Sequence, residues 1–304
     1  MFAAGAIFFL LLRGSGLVAQ QPTECPAILE RGRQAYESRH FEISAAEFER
    51  ALIFCTPQAQ ILLALGEAQL MAGRTDVSID SLRRVTKLEP TNAMAHKVLG
   101  DALYLAGKEL EAEQSLKTSL SLNAQFEPAL YALGRIYYQM KRFPEAVQRF
   151  QEIIELDPKN YRAHDNLGLC YDALHRDADA LRHFLKALDL VYKDHPEYDW
   201  AHANLAEFYL KRDQYEKAFQ LAAEAAQRNP QSARNFFLTG KALVNLNKDE
   251  LSLRWLERAV ALDPNYREAH YLLARAYQKL GRKEVSETEF ARFRELSAKP
   301  ANRR

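Results

Sequence analysis

The chain has 304 residues, 48% of them apolar, which is ample material for a core and, by length alone, for about two domains. Its 41 Lys and Arg against 40 Asp and Glu leave a net charge of +1, so it shows no electrostatic footprint for nucleic acid or an anionic membrane surface.

Residues 2–12, FAAGAIFFLLL, form an apolar run shorter than the ~20 residues that a bilayer-spanning helix takes. Arg13 interrupts it, and Leu17, Val18 and Ala19 lead into the polar Gln20 and Gln21. The pattern predicts a signal peptide over residues 1–19, cut near Ala19, and hence an exported chain, periplasmic or secreted. Two features fit less well: only the amino terminus is positive ahead of the run, and Leu17 is bulky for the −3 site. The alternative is an uncleaved anchor formed by residues 2–19, in which case alone the membrane becomes a partner. No cysteine follows the run, so a lipoprotein anchor has no attachment point.

From Cys25 onward the chain copies one unit, most clearly at Glu127 to Asn160. Leu130, Leu133, Gly134 and Tyr137 recur at i, i+3, i+4, i+7 and mark one helical face. Lys141 and Arg142 make a polar turn, Pro144 suits the first turn of a second helix, and Ala146, Val147, Phe150, Ile153 and Ile154 give that helix its apolar side. Asp157-Pro158 stops it, because the residue before proline avoids the α region. A hairpin of two such helices leaves apolar surface outside and needs neighbours.

The neighbours are in register. Gly32, Gly66, Gly100, Gly134 and Gly168 are spaced 34 residues apart, and after a four-residue slip the column resumes at Ala206, Gly240 and Ala274. A second column runs through Phe48, Leu82, Leu116, Phe150, Phe184 and Leu256, and Pro90, Pro158, Pro230 and Pro264 close their units. This period and pattern resemble the tetratricopeptide repeat family. The resemblance implies an all-α solenoid, a right-handed superhelix of eight helix–turn–helix units starting at 25, 59, 93, 127, 161, 199, 233 and 267 and covering residues 25–300. Residues 301–304 are left as a tail, with Lys299, Arg303 and Arg304 read as solvated charge rather than a phosphate-binding arm.

In the first unit, Cys25 stands at the start of one helix and Cys55 at the end of the next, places that an antiparallel hairpin brings together. In an oxidising compartment they are expected to form a disulfide, the alternative being two free thiols in a cytosolic protein. Cys170 lies mid-helix and reads as a buried, inert thiol. Gly73, Gly107 and Gly281 fall at turns where a left-handed residue ends a helix. The slip within residues 191–198 is about one helical turn, so either the second helix of unit five runs longer or a loop is inserted. Residues 283–298 suit a capping helix, with Val285, Phe290, Phe293 and Leu296 on one side and charges elsewhere.

No phosphate loop, zinc-protease helix, nucleophile elbow or dinucleotide glycine fingerprint occurs, and neither a catalytic residue nor a metal or other cofactor is expected. His96, His164, His202 and His270 repeat at one site, about a helix diameter apart, too far to share an ion. His175, Asp177, Asp179 and His183 read as a solvated polar turn.

What remains is the inner face of the first helices, positions 2, 5, 6, 9, 12 and 13 of each unit, which in the family lines a groove that takes extended peptides or partner helices. Here it carries Tyr104, Tyr131, Arg135, Tyr138, Arg162, Asp165, Asn166, Asp172, Trp200, Asn204, Phe237, Lys241 and Arg275, and Tyr, Trp and Arg are the types enriched at hot spots. The family's carboxylate clamp is absent, since Asp101 would repel a carboxylate at the closest window. Its asparagine ladder finds two consecutive matches, Asn166 and Asn204, each expected to face solvent and clamp a peptide unit. The expected function is a non-catalytic scaffold that binds a protein or peptide segment, without nucleic acid or small-molecule cofactor, in an exported or envelope assembly. The alternative is a regulatory, substrate-recruiting subunit of a separate enzyme such as a transferase.

Overall fold

The computed structural model describes residues 21–298, and the signal-peptide and tail expectations lie outside them. Among the described residues there are sixteen α-helices and no strand. The chain divides into two compact units at Ala129 and Leu130.

The first unit holds α1 (Gln21–Glu37), α2 (Phe41–Phe54), α3 (Gln58–Met71), α4 (Thr75–Leu88), α5 (Ala93–Leu105), α6 (Glu109–Leu122) and the start of α7 (Glu127–Gln139). The second holds the rest of α7, then α8 (Phe143–Leu156), α9 (Tyr161–Ala173), α10 (Asp177–Asp194), α11 (Trp200–Leu210), α12 (Tyr215–Arg228), α13 (Ala233–Asn245), α14 (Asp249–Leu262), α15 (Arg267–Lys279) and α16 (Lys283–Ala298). In the first unit α1 packs on α2, α3 on α4 and α5 on α6, and each hairpin's second helix packs on the next first helix; α9 to α16 repeat the pattern. First helices also touch each other, α3 with α5, and α9 with α11, α11 with α13 and α13 with α15.

The glycine column lets the two helices of a hairpin approach. A Cβ built on Gly134 would stand 2.8 Å from Phe150 Cζ, and one on Gly66 2.7 Å from Leu82 Cγ. The large partner sits sixteen residues after the small one, and where Ala206 replaces the glycine, the residue sixteen on is Ala222 rather than Phe or Leu. Both alanines are fully buried. A second tie recurs in three hairpins: the Oγ of Ser44, Ser78 and Ser286 donates to the carbonyl of Gly32, Gly66 and Ala274, twelve residues earlier, at 2.7–2.9 Å, whereas Ser252 turns to Asp249 O.

All eight hairpin turns contain a left-handed residue. Gly73, Gly107 and Gly281 take φ of 72–78°, as the sequence indicates, while Arg39, Lys141, His175, Asp213 and Asn247 take φ of 56–61° despite their side chains. The turn imposes this. Lys141 N–H donates to Tyr138 O and Arg142 N–H to Tyr137 O, the paired bonds that close a helix through a left-handed residue. Between hairpins, Asp157 accepts from Lys159 N–H and Asn160 accepts from Ala163 N–H, so the stop of α8 and the start of α9 are both capped by side chains.

The repeated histidines serve this joint. His96, His164 and His270 place Nε2 3.0–3.2 Å from the carbonyl of Pro90, Pro158 and Pro264, so each Nε2–H donates to the last turn it follows. His202, after the slip, instead meets Glu224 at 3.2 Å. The slip itself is helical: α10 has 18 residues where α8 and α12 have 14, one extra turn rather than a loop insertion. His183 corrects the reading of a solvated turn. It is 9% exposed, with its Nδ1 3.0 Å from that of His164, and burial, then the neighbouring His164, pushes its pKa down to about 4. Cys170 is fully buried and its thiol is pushed up to about 12 by burial. Cys25 and Cys55 are joined by a disulfide, with Cα atoms 5.5 Å apart.

Candidate functional site

In the second unit, the side-by-side packing of α9, α11 and α13 puts matching positions of successive hairpins on one face. Tyr131, Arg135 and Tyr138 from α7, Arg162, Asp165 and Asn166 from α9, and Trp200 and Asn204 from α11 line one cavity of about 830 Å³. With Asp172, nine of the thirteen inner-face residues expected from sequence therefore meet here, and Arg275 does not. Tyr104 belongs to α5 in the first unit, and Phe237 and Lys241 on α13 do not line the cavity. Phe237 is 8% exposed and lies against Tyr266, ring centroids 4.8 Å apart, so it is a packing ring.

The rings differ in how much they offer. Trp200 is 53% exposed, with the Arg234 guanidinium 5.1 Å from its ring centre. Tyr131 is half-buried edge-on to Phe150, and its hydroxyl accepts from Asn166 Nδ2 at 3.2 Å. Tyr138 sits edge-on to Phe143, and burial raises its hydroxyl pKa. These are fixed apolar surfaces with polar tips, the form suited to binding at low entropic cost.

The charges fall into two groups. Asp172 pairs with Lys211 and Arg212, each at 2.9 Å, and Glu207 pairs with Arg234 at 2.7 Å. Arg135 and Arg162, by contrast, are exposed and form no ion pair among the described residues. Two guanidiniums thus stand on the cavity wall without a carboxylate.

Asn204 does not face solvent as expected. It is 3% exposed; its Oδ1 accepts from Arg234 Nη2 and its Nδ2 donates to Asp165 Oδ2, each at 2.9 Å. Each end of the buried amide holds a protein partner, so the side chain orients Asp165 instead of facing solvent. Asn166 keeps its Nδ2 on Tyr131 and the Arg162 carbonyl, which leaves its Oδ1 to accept.

Asp165, placed on the inner face by sequence, is the hub of a network that sequence did not reveal. It is 1% exposed, and its Oδ2 accepts from the Tyr198 hydroxyl as well as Asn204, each at 2.9 Å. Its Oδ1 is buried without a partner. Burial raises its pKa to about 6 against the two hydrogen bonds, which pull the other way. Tyr198 comes from the segment after the extra turn of α10, stacked edge-on with Tyr161 at 4.8 Å, so the repeat slip supplies one wall of the site. The slip was the available signal; Arg234, Glu207 and Lys211 carried none.

A smaller cavity of about 560 Å³ is lined by His164, His183 and the α10 surface. No group of three or more metal-ligating side chains occurs among the described residues, and none of their helices is long and apolar enough to cross a membrane.

Family models described as tetratricopeptide repeat match residues 29–84, 63–125, 103–167 and 268–299, and one described as TPR repeat matches 240–281. No curated protein matches. Among solved structures, a tetratricopeptide repeat protein from Parabacteroides merdae is 17% identical with a TM-score of 0.68, covering 83% of this chain and 98% of its own. Yeast Tom70 is 16% identical with a TM-score of 0.66, covering 92% of this chain and 62% of its own. PilF of Pseudomonas aeruginosa is 23% identical with a TM-score of 0.59, covering 74% and 97%. At these identities the structural likeness concerns the fold.

Proposed function

The chain belongs to the tetratricopeptide-repeat family, and from that premise we propose that it is a non-catalytic scaffold whose second unit docks an extended protein segment with acidic character. The observation that carries this is the cavity in which exposed Trp200 and half-buried Tyr131 and Tyr138 surround Arg135 and Arg162, two guanidiniums left without carboxylates. Planar guanidiniums bind carboxylates bidentately, and fixed rings supply desolvated contact beside them. Asn166 Oδ1 offers an acceptor to a main-chain amide of the segment.

The scaffold is exported, on the pattern of residues 1–19, and works in a periplasmic or extracellular assembly. Affinity capture from an envelope extract, with wild-type chain beside an Arg135→Gln/Arg162→Gln variant, tests the reading by mass spectrometry. A protein recovered with wild type and lost with the variant is the expected result. Equal recovery by both would place docking elsewhere.

A further inference from the structure

We infer that Asp165 gives this cavity a subsite for a positively charged side chain, the ammonium of a lysine or the guanidinium of an arginine in the docked segment. The inference rests on the docking reading above and names a second feature of the same ligand.

Asp165 is 1% exposed, lines the cavity and has one carboxylate oxygen, Oδ1, buried with no partner. Buried polar atoms are normally satisfied, and a buried charge is normally paired. Two other carboxylates around it have cations: Asp172 has Lys211 and Arg212, and Glu207 has Arg234; Asp199 accepts from the neutral amide of Asn235. Asp165 has hydrogen bonds but no cation. Arg234 is the cation whose charge acts on it, and that guanidinium is spent on Glu207 and on the far end of Asn204.

The carboxylate is also held in place for a ligand. Arg234 fixes the Asn204 amide so that its Nδ2 points at Asp165, and the Tyr198 hydroxyl donates to the same Oδ2. Both donors use one oxygen and leave the other, buried Oδ1, without a partner. A main-chain amide could fill that valence but not the missing charge; an ammonium or guanidinium does both. Burial raises the Asp165 pKa to about 6, so the group is mostly ionised at neutral pH and carries an uncompensated charge there.

Spacing sets the ligand further. Arg162 and Asp165 are one helical turn apart on α9, about 4.5 Å along the axis, and an extended chain advances about 3.3–3.6 Å per residue. The complementary segment therefore carries its acidic and basic residues adjacent or one apart.

The probe is a positional-scanning hexapeptide library, acetylated and amidated, presented to the full chain and to Asp165→Asn at pH 7.5. Wild type is expected to enrich Lys or Arg at one position about tenfold or more, in line with a charged hydrogen bond, and the variant to lose that enrichment. A parallel library with free amino termini separates the side chain from an amine terminus; basic preference seen only there overturns the assignment. Repeating the wild-type selection at pH 5 should reduce the preference several-fold as Asp165 takes a proton. The charged or titratable groups that face it are Tyr198, Tyr131, Arg162, Arg234, Glu207, Asp172 and Asp199, and Asp165→Asn run at both pH values separates its proton from theirs. Peptides selected without basic preference, or with the same preference by Asp165→Asn or at pH 5, overturn the subsite while docking stands. No selected peptide at all overturns both.

Discussion

Replacing Asp165 by Asn should stabilise the protein at neutral pH. The carboxyl is fully buried, and its pKa is raised from 3.8 to about 6, first by desolvation. A raised carboxyl means the folded state holds the proton more tightly than the unfolded one. Its contribution is therefore most favourable below pH 3.8 and is lost as pH rises through about 6. At about 1.4 kcal/mol per unit, an ionised Asp165 costs the fold roughly 2–3 kcal/mol at pH 7.5. Asparagine has the shape of the protonated acid, keeps an oxygen for Tyr198 and Asn204 and never ionises. Thermal and urea melts of both chains at pH 4.0 and pH 7.5 provide the assay. Other titrating groups are common to both, so the difference between the curves isolates this residue. Near-equal stability at pH 4.0 and a variant more stable by roughly 2–3 kcal/mol at pH 7.5 is expected. A variant equal to or weaker than wild type at pH 7.5 would refute the argument, because Asp165 would then be compensated by something the geometry does not show.

Three further outcomes are expected. Lys141→Gly should raise stability by about 0.5–1 kcal/mol in urea melts, since Lys141 is exposed and holds φ of 59°, where glycine pays no steric penalty. Gly134→Ala should lower it by about 1–3 kcal/mol, because the new Cβ would stand 2.8 Å from Phe150 Cζ, whereas Leu133→Ala, at 1% exposure, should cost about 2–5 kcal/mol by leaving a cavity. Reducing the Cys25–Cys55 bond, which closes a separation of 30 residues, should lower the melting of the first unit by about 3–4 kcal/mol, read by melts with and without reductant and absent in Cys25→Ser.

The helical array was legible because its rule is local and repeated. Gly134 and Phe150, or Asp157 and Pro158, read the same way in sequence as in space, and the column of small residues carries the hairpin contact directly. The left-handed turns were half legible: glycine announces Gly73 and Gly107, but Lys141 and Asn247 adopt the conformation because the surrounding bonds demand it. The inner face could be numbered from sequence, and nine of its residues do share a cavity. What could not be read was the wiring within it. Asn204 looked like a solvent-facing clamp, yet Arg234, 30 residues on, and Asp165, 39 residues back, take both ends of its amide. Such networks depend on side chains from three hairpins, and no periodicity encodes them. Tyr198 shows the intermediate case, since the break in period marked the joint but not the hydroxyl it delivers to Asp165.

Docking at the second-unit cavity has a direct physical readout, contact between the cavity wall and the partner. It is tested most directly by photo-crosslinking from the full chain in envelope extract, with a photoreactive phenylalanine in place of Tyr138 in the cavity or of Tyr192, which is 62% exposed and does not line it. One discrete protein adduct is expected from the Tyr138 position, diminished by Arg135→Gln/Arg162→Gln, and none of that mass from the Tyr192 position. The same adduct from Tyr192 and none from Tyr138 would contradict docking at the cavity.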